Sequence, residues 1–148
     1  GLRRDIGSQP EAVDVLLALG AESAVAIGST TGLAELLDAA AGALIDTPRW
    51  LTAHTTLHRA RLAALSADDE PLFTEAVTAL RQIEEPFWVA IALLEQAEWL
   101  SSCGRADEIA PLVAEAREVF ERLRAAPALL RAEQLNALGP AIAAISQE

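Results

Sequence analysis

His54 and His58 stand four residues apart in a stretch of helical apolar spacing, so both imidazoles fall on one face and within reach of a single metal ion. No third ligand follows at a recognisable spacing, and the glutamate that zinc proteases place between two such histidines is missing. The pair reads first as packing or as part of a polar groove, with a metal site as the alternative. The turn Gly28-Ser29-Thr30-Thr31-Gly32 has the small residues of a phosphate cradle but no lysine after it and no strand before it. Cys103 falls at a predicted helix end beside Arg105, where a thiolate would be favoured; a buried or inert thiol is the expected reading. Asp68, Asp69, Glu70, Glu84 and Glu85 bracket one predicted helix, and turn and cap duty accounts for them. No serine–histidine–aspartate set or catalytic carboxylate pair can be assembled from sequence proximity. No catalytic, cofactor-binding or metal-binding residue is therefore assigned, an enzyme is not expected, and surface recognition remains.

The elements that would position such a surface are legible as a repeat. Pro71-Leu72-Phe73-Thr74-Glu75-Ala76, continuing through Leu80 and Ile83, matches Pro111-Leu112-Val113-Ala114-Glu115-Ala116, continuing through Phe120 and Leu123, in a register of 40 residues. Pro10, Pro48 and Pro86 lie 38 residues apart and head the preceding helices. Periods of this size mark helical hairpins, each burying its apolar face against its neighbours. The expected fold is all-α: antiparallel hairpins over residues 10–46, 48–84 and 86–124, with capping helices over 127–148, stacked as one short right-handed solenoid domain.

In the first hairpin, Val13, Leu16, Leu17 and Leu19 form an apolar stripe, and Thr30 or Thr31 is the expected N-cap of a helix from Leu33 to Ile45. In the second, Pro48 opens a helix to about Leu65, Asp68 or Asp69 caps its partner, and Glu84-Glu85-Pro86 ends it, because the residue before a proline is driven out of the α region. The third is the most apolar, so its first helix should lie between neighbours, closed by Gly104 in a left-handed cap. Leu138-Gly139-Pro140 should separate a helix begun at Pro127 from a short apolar tail. Trp88, Trp99, Leu100, Leu72, Leu112, Val113, Phe120 and Leu123 are the expected hairpin-interface residues.

Composition agrees. In 148 residues, 52% are apolar but only 4% aromatic, the difference being alanine and leucine, both strong helix formers. The net charge of −11 argues against nucleic acid or an anionic membrane as partner and suits solubility or a basic partner surface. No apolar run approaches the length of a membrane span, the first ten residues lack the apolar stretch of a signal peptide, and a single cysteine suits a reducing, cytoplasmic setting.

Leu93, Ala97, Leu100, Gly104, Ile109, Val113 and Ala116 resemble the large–small–large–Gly–Ala–aromatic–Ala pattern of a tetratricopeptide repeat. Valine replaces the aromatic, isoleucine replaces an alanine, and the closing helix outruns the usual 34-residue unit. The stretch from Cys103 to Glu108 and on through Ala116 to Leu123, then Pro127 and Leu130-Arg131-Ala132, is similar to the C-terminal arrays of large bacterial signalling ATPases, some linked to nucleotide cyclases and others to helix-turn-helix domains.

The resemblance implies a non-catalytic interaction or regulatory arm, part of a longer bacterial signalling or transcription-regulating protein. The alternative is a small-molecule sensor relaying occupancy to an attached ATPase, cyclase or DNA-binding domain. The family's ligand-contacting offsets, carried onto the third hairpin, fall on Ile91, Leu94, Glu98, Ser101 and Ser102. On the second hairpin they fall on His54, Leu57, Arg61, Ala64 and Leu65. Such a groove would suit an extended peptide or a helix. The uncapped ends, alanine-rich from Ala39 to Ala43 and apolar from Ala141 to Ile145, predict a two-fold homodimer of the isolated chain.

Overall fold

A computed structural model describes residues 22, 26, 28–43, 48–66 and 71–145. Among these the protein is helical, with no β-strand. Six α-helices are bounded among the described residues: α1 (Thr30–Ala43), α2 (Arg49–Ala64), α3 (Phe73–Gln82), α4 (Pro86–Ser102), α5 (Ile109–Leu123) and α6 (Ala126–Ile145), with a 3-10 turn at Ala106–Glu108 before α5. The chain divides into two compact units, Gly1–Pro71 and Leu72–Glu148. The boundary falls inside the stretch 48–84 read as one hairpin, so its two helices, α2 and α3, belong to different units. The Val13–Leu19 stripe and the Asp68 and Asp69 caps lie outside the described residues.

In the first unit, α1 packs on α2. Leu33 and Leu37, one helical turn apart, are buried, and Leu36 and Leu62 pack against them. The N-cap is Ser29 and not either threonine. Its Oγ accepts the Gly32 N–H at 3.3 Å and its carbonyl accepts from Leu33, so the helix begins at Thr30, three residues before the expected Leu33.

In the second unit, consecutive helices pack in sequence, α3 on α4, α4 on α5 and α5 on α6, and α4 also touches α6. The connections are only a few residues long, so the chain must reverse at each. α4 is central: Val89 through Leu94, Ala97 and Leu100 are buried around most of its circumference. Its neighbours bury one face each, Phe73, Ala76, Val77 and Leu80 on α3 and Ile109, Val113, Ala116 and Phe120 on α5. Phe73 and Val113, Ala76 and Ala116, and Leu80 and Phe120 all keep the 40-residue register, so the repeat coincides with the buried positions.

Three helices in this unit end alike. After α4, Arg105 N–H donates to Leu100 O at 2.9 Å and Gly104 N–H to Ser101 O at 3.1 Å, with Gly104 at φ +75°. The same paired bonds close α3 around Glu84 (φ +56°) and α5 around Arg124 (φ +54°), where no glycine signals the turn. Glu85 leaves the helical region before Pro86, as expected, and Pro86 opens α4.

Several expectations are corrected. Leu100, Val113 and Phe120 are buried, but Trp88, Trp99 and Leu112 are only half-buried. Leu72 and Leu123 are 56% and 45% exposed, because each sits at a helix end beyond the reach of the neighbouring helices. α3 starts after Leu72, which caps it without a side-chain bond. α6 does not break at Gly139-Pro140 but continues to Ile145. A proline interrupts a helix only by withholding one N–H and crowding the preceding turn, and neither effect ends this one.

Candidate functional site

The expected groove residues divide between the two units. His54, Leu57 and Arg61 lie on α2 in the first; Ile91, Leu94, Glu98, Ser101 and Ser102 lie on α4 in the second.

On α2 the three form a buried row with Leu57 completely enclosed. Leu51, His54 and His58, spaced three and four residues apart, share the inward face, so the helix carries its polar side chains into the interior. Trp50 covers His54, ring centroids 4.5 Å apart. An Nη1 N–H of Arg61 lies 3.2 Å from Nδ1 of His58, and the same guanidinium donates to Glu22 Oε1. A bond from an arginine makes Nδ1 the acceptor, so the His58 proton resides on Nε2. That atom is buried without a hydrogen-bond partner among the described residues; Glu22 Oε1 is 3.7 Å away, too long for a bond.

Burial first, then the Arg61 charge and to a lesser extent His54, with Glu22 opposing, bring the His58 pKa down to about 4. His54 is lowered for the same main reason, burial, with Glu22 opposing and Arg61 reinforcing. Both rings are neutral near pH 7. The guanidinium of Arg61 takes the position between His58 and Glu22 that a cation would need, and no group of three metal-binding side chains forms among the described residues. Ala64 is half-buried and Leu65 is 59% exposed at the helix end.

On α4, Ile91 and Leu94 face inward, 9% and 0% exposed, and pack between neighbouring helices. Glu98 and Ser101 are half-buried and Ser102 is exposed, its hydroxyl turned back to the Trp99 carbonyl at 2.6 Å. Glu98 receives a two-pronged pair from Arg131 on α6, Nε to Oε1 and Nη2 to Oε2. The polar surface of this face is thus Glu98, Ser101, Ser102 and Arg131.

Cys103 is exposed, so of the expected buried or inert thiol the buried alternative does not hold, because it caps α4 on the outer side of the turn. Arg105 forks onto Glu108 at 2.7 and 2.9 Å and stacks over Trp99 at 5.7 Å. The hydrogen bond from Arg105 holds the Glu108 carboxyl below its ordinary value.

Two participants escaped the sequence reading. Glu22 meets Arg61 across 39 residues, and no local pattern announces such a contact. Arg131 was visible only as part of a family-like stretch. A third feature was read as capping alone. Glu84, Glu85 and Pro86, together with side chains of α3 and α5, line a surface groove of about 390 Å³ in the second unit. Comparison of the chain with protein-family models, curated proteins and solved structures finds no match.

Proposed function

We propose that the chain is a non-catalytic interaction module, an arm of a bacterial signalling or transcription-regulating protein working in the cytoplasm, and that it binds a protein or peptide. The observation that supports this most is the contact between α4 and α6, two helices apart in the chain, with Glu98, Arg131, Ser101 and Ser102 gathered on them. Side-by-side first helices of consecutive hairpins are what a tetratricopeptide-like solenoid requires, and they make a rigid polar strip with apolar support beneath. The buried histidines of α2 serve packing in this reading and bind no metal. A sensor for small molecules would instead use an enclosed apolar pocket; among the described residues the 390 Å³ groove has exposed charged rims and suits a surface contact better.

Selection of displayed random peptides on the immobilised chain tests the reading, with Glu98→Arg and Ser101→Trp combined as counter-target. Enriched peptides that fail to bind the double variant are expected. Peptides that bind both equally, or no enrichment at all, would overturn it. Pairing of the isolated chain into a two-fold dimer belongs to the same proposal. Ala141 and Ala144 on α6 are exposed, and the side chains from Ala39 to Ala43 lie outside the described residues. Sedimentation of the chain and of Ala144→Asp checks it; a monomer at high concentration refutes it.

A further inference from the structure

The groove of the second unit lies where the α3–α4 turn meets the outer side of α5. Its floor is apolar: Pro86, the buried Val89 and the half-buried Val119. One wall is closed by Arg81 of α3 bonded to Glu115 of α5, a pair that neutralises itself. The remaining ionic groups are Glu84 and Glu85 in the turn and Arg122 in the last turn of α5. None of these three has a side-chain hydrogen bond or ion pair among the described residues. The rim therefore offers two free carboxylates and one free guanidinium around an apolar floor.

The volume is that of roughly a dozen waters at about 30 Å³ each. A lone ion would leave it mostly empty, and a helix would not enter. It fits one long side chain and the backbone beside it. An anionic occupant meets two unsatisfied carboxylates and a chain of net charge −11. A purely apolar occupant would strip water from three charges and return nothing to them. A lysine or arginine satisfies every part: its methylene stem lies on Pro86, Val89 and Val119, and its cationic head meets Glu84 and Glu85. The carbonyl of the residue beside it accepts from Arg122.

We propose that this groove docks a basic peptide segment of a partner protein, taking one lysine or arginine side chain between the carboxylates of Glu84 and Glu85 and the valine floor. It shares no residue with the Glu98–Arg131 face, so either site can fail alone.

The test is an amide-resolved NMR titration of the whole 148-residue chain with the capped peptide acetyl-Gly-Leu-Arg-Ala-Gly-amide, and with the same peptide carrying glutamine or glutamate in place of arginine. Shifts centred on Glu84, Glu85, Val89 and Val119 are expected with the arginine peptide alone. Two exposed ion pairs are together worth about a five- to tenfold change in affinity, so Glu84→Gln with Glu85→Gln should weaken binding by that factor. A bulky Val119→Trp should block it while leaving the helical circular dichroism intact. Equal binding of the glutamine peptide, shifts scattered over the surface, or a double variant that binds as tightly as the parent would overturn the proposal. Shifts confined to α4 and α6 would also overturn it while supporting the other face.

Discussion

Acidification should unfold the first unit before the second, and His58 is the reason. In the unfolded chain its imidazole takes a proton near the ordinary 6.5; in the folded chain burial and Arg61 delay that step to about 4. A histidine whose folded value is lowered contributes stability that is complete above 6.5 and lost as pH falls through the interval down to 4. Linkage puts the loss at about 1 kcal/mol by pH 6 and about 2 kcal/mol by pH 5, approaching about 3 kcal/mol below pH 4. His54 acts in the same direction. The groups facing the ring are Arg61 and His54 on α2 and Glu22 from the preceding segment; Asp38 of α1 is turned to Arg59, 3.5 Å away. The chain has two histidines, so two Hε1 signals can be followed by NMR as pH is lowered. Urea unfolding at pH 8 and pH 5, read from the Leu33 and Leu57 methyl signals, gives the stability. His58→Gln keeps an acceptor for Arg61 and removes the titration, so its stability should vary less between the two pH values. An Hε1 inflexion near 6.5 for His58, or a pH dependence as large in the glutamine variant, would refute the reasoning.

Glu84→Gly and Arg124→Gly should each stabilise the second unit by about 1 kcal/mol, since both residues hold a left-handed backbone that glycine adopts without a Cβ clash. Gly104→Ala should lose a similar amount in thermal or denaturant unfolding, through backbone conformation alone, because no atom lies within 4 Å of an added Cβ. Phe120→Ala should lower stability by about 3–5 kcal/mol, whereas Leu123→Ala, three residues on and 45% exposed, should change it by no more than about 1 kcal/mol. Ser29→Ala should destabilise α1 by about 1 kcal/mol, measured as faster amide exchange in its first turn.

Much of the second unit was legible because its signals are local. Proline at 86 and glycine at 104 act through the geometry of their own residues, so a reader of the chain can place the ends of α4 within a residue. The 40-residue match works for a related reason: Phe73 and Val113, or Leu80 and Phe120, occupy equal positions on helices that pack alike. The candidate sites were harder. Ile91 and Leu94 satisfy a family offset, yet they lie under neighbouring helices. An offset along one helix cannot report what covers it.

Helical class, the ends of α4 and the buried register of the second unit follow from backbone propensity, capping and apolar periodicity, all of which act over a few residues or repeat along the chain. Partnership does not. That Arg61 would meet Glu22 and His58, that Arg131 would fork onto Glu98, and that Glu84 and Glu85 would face an apolar floor depended on bringing distant segments together. The left-handed turns at Glu84 and Arg124 belong with them. Neither residue favours that conformation, and it is adopted because the next helix must pack back on the last. Local chemistry chose the helices; the burial of α4 among its neighbours decided which side chains they left at the surface.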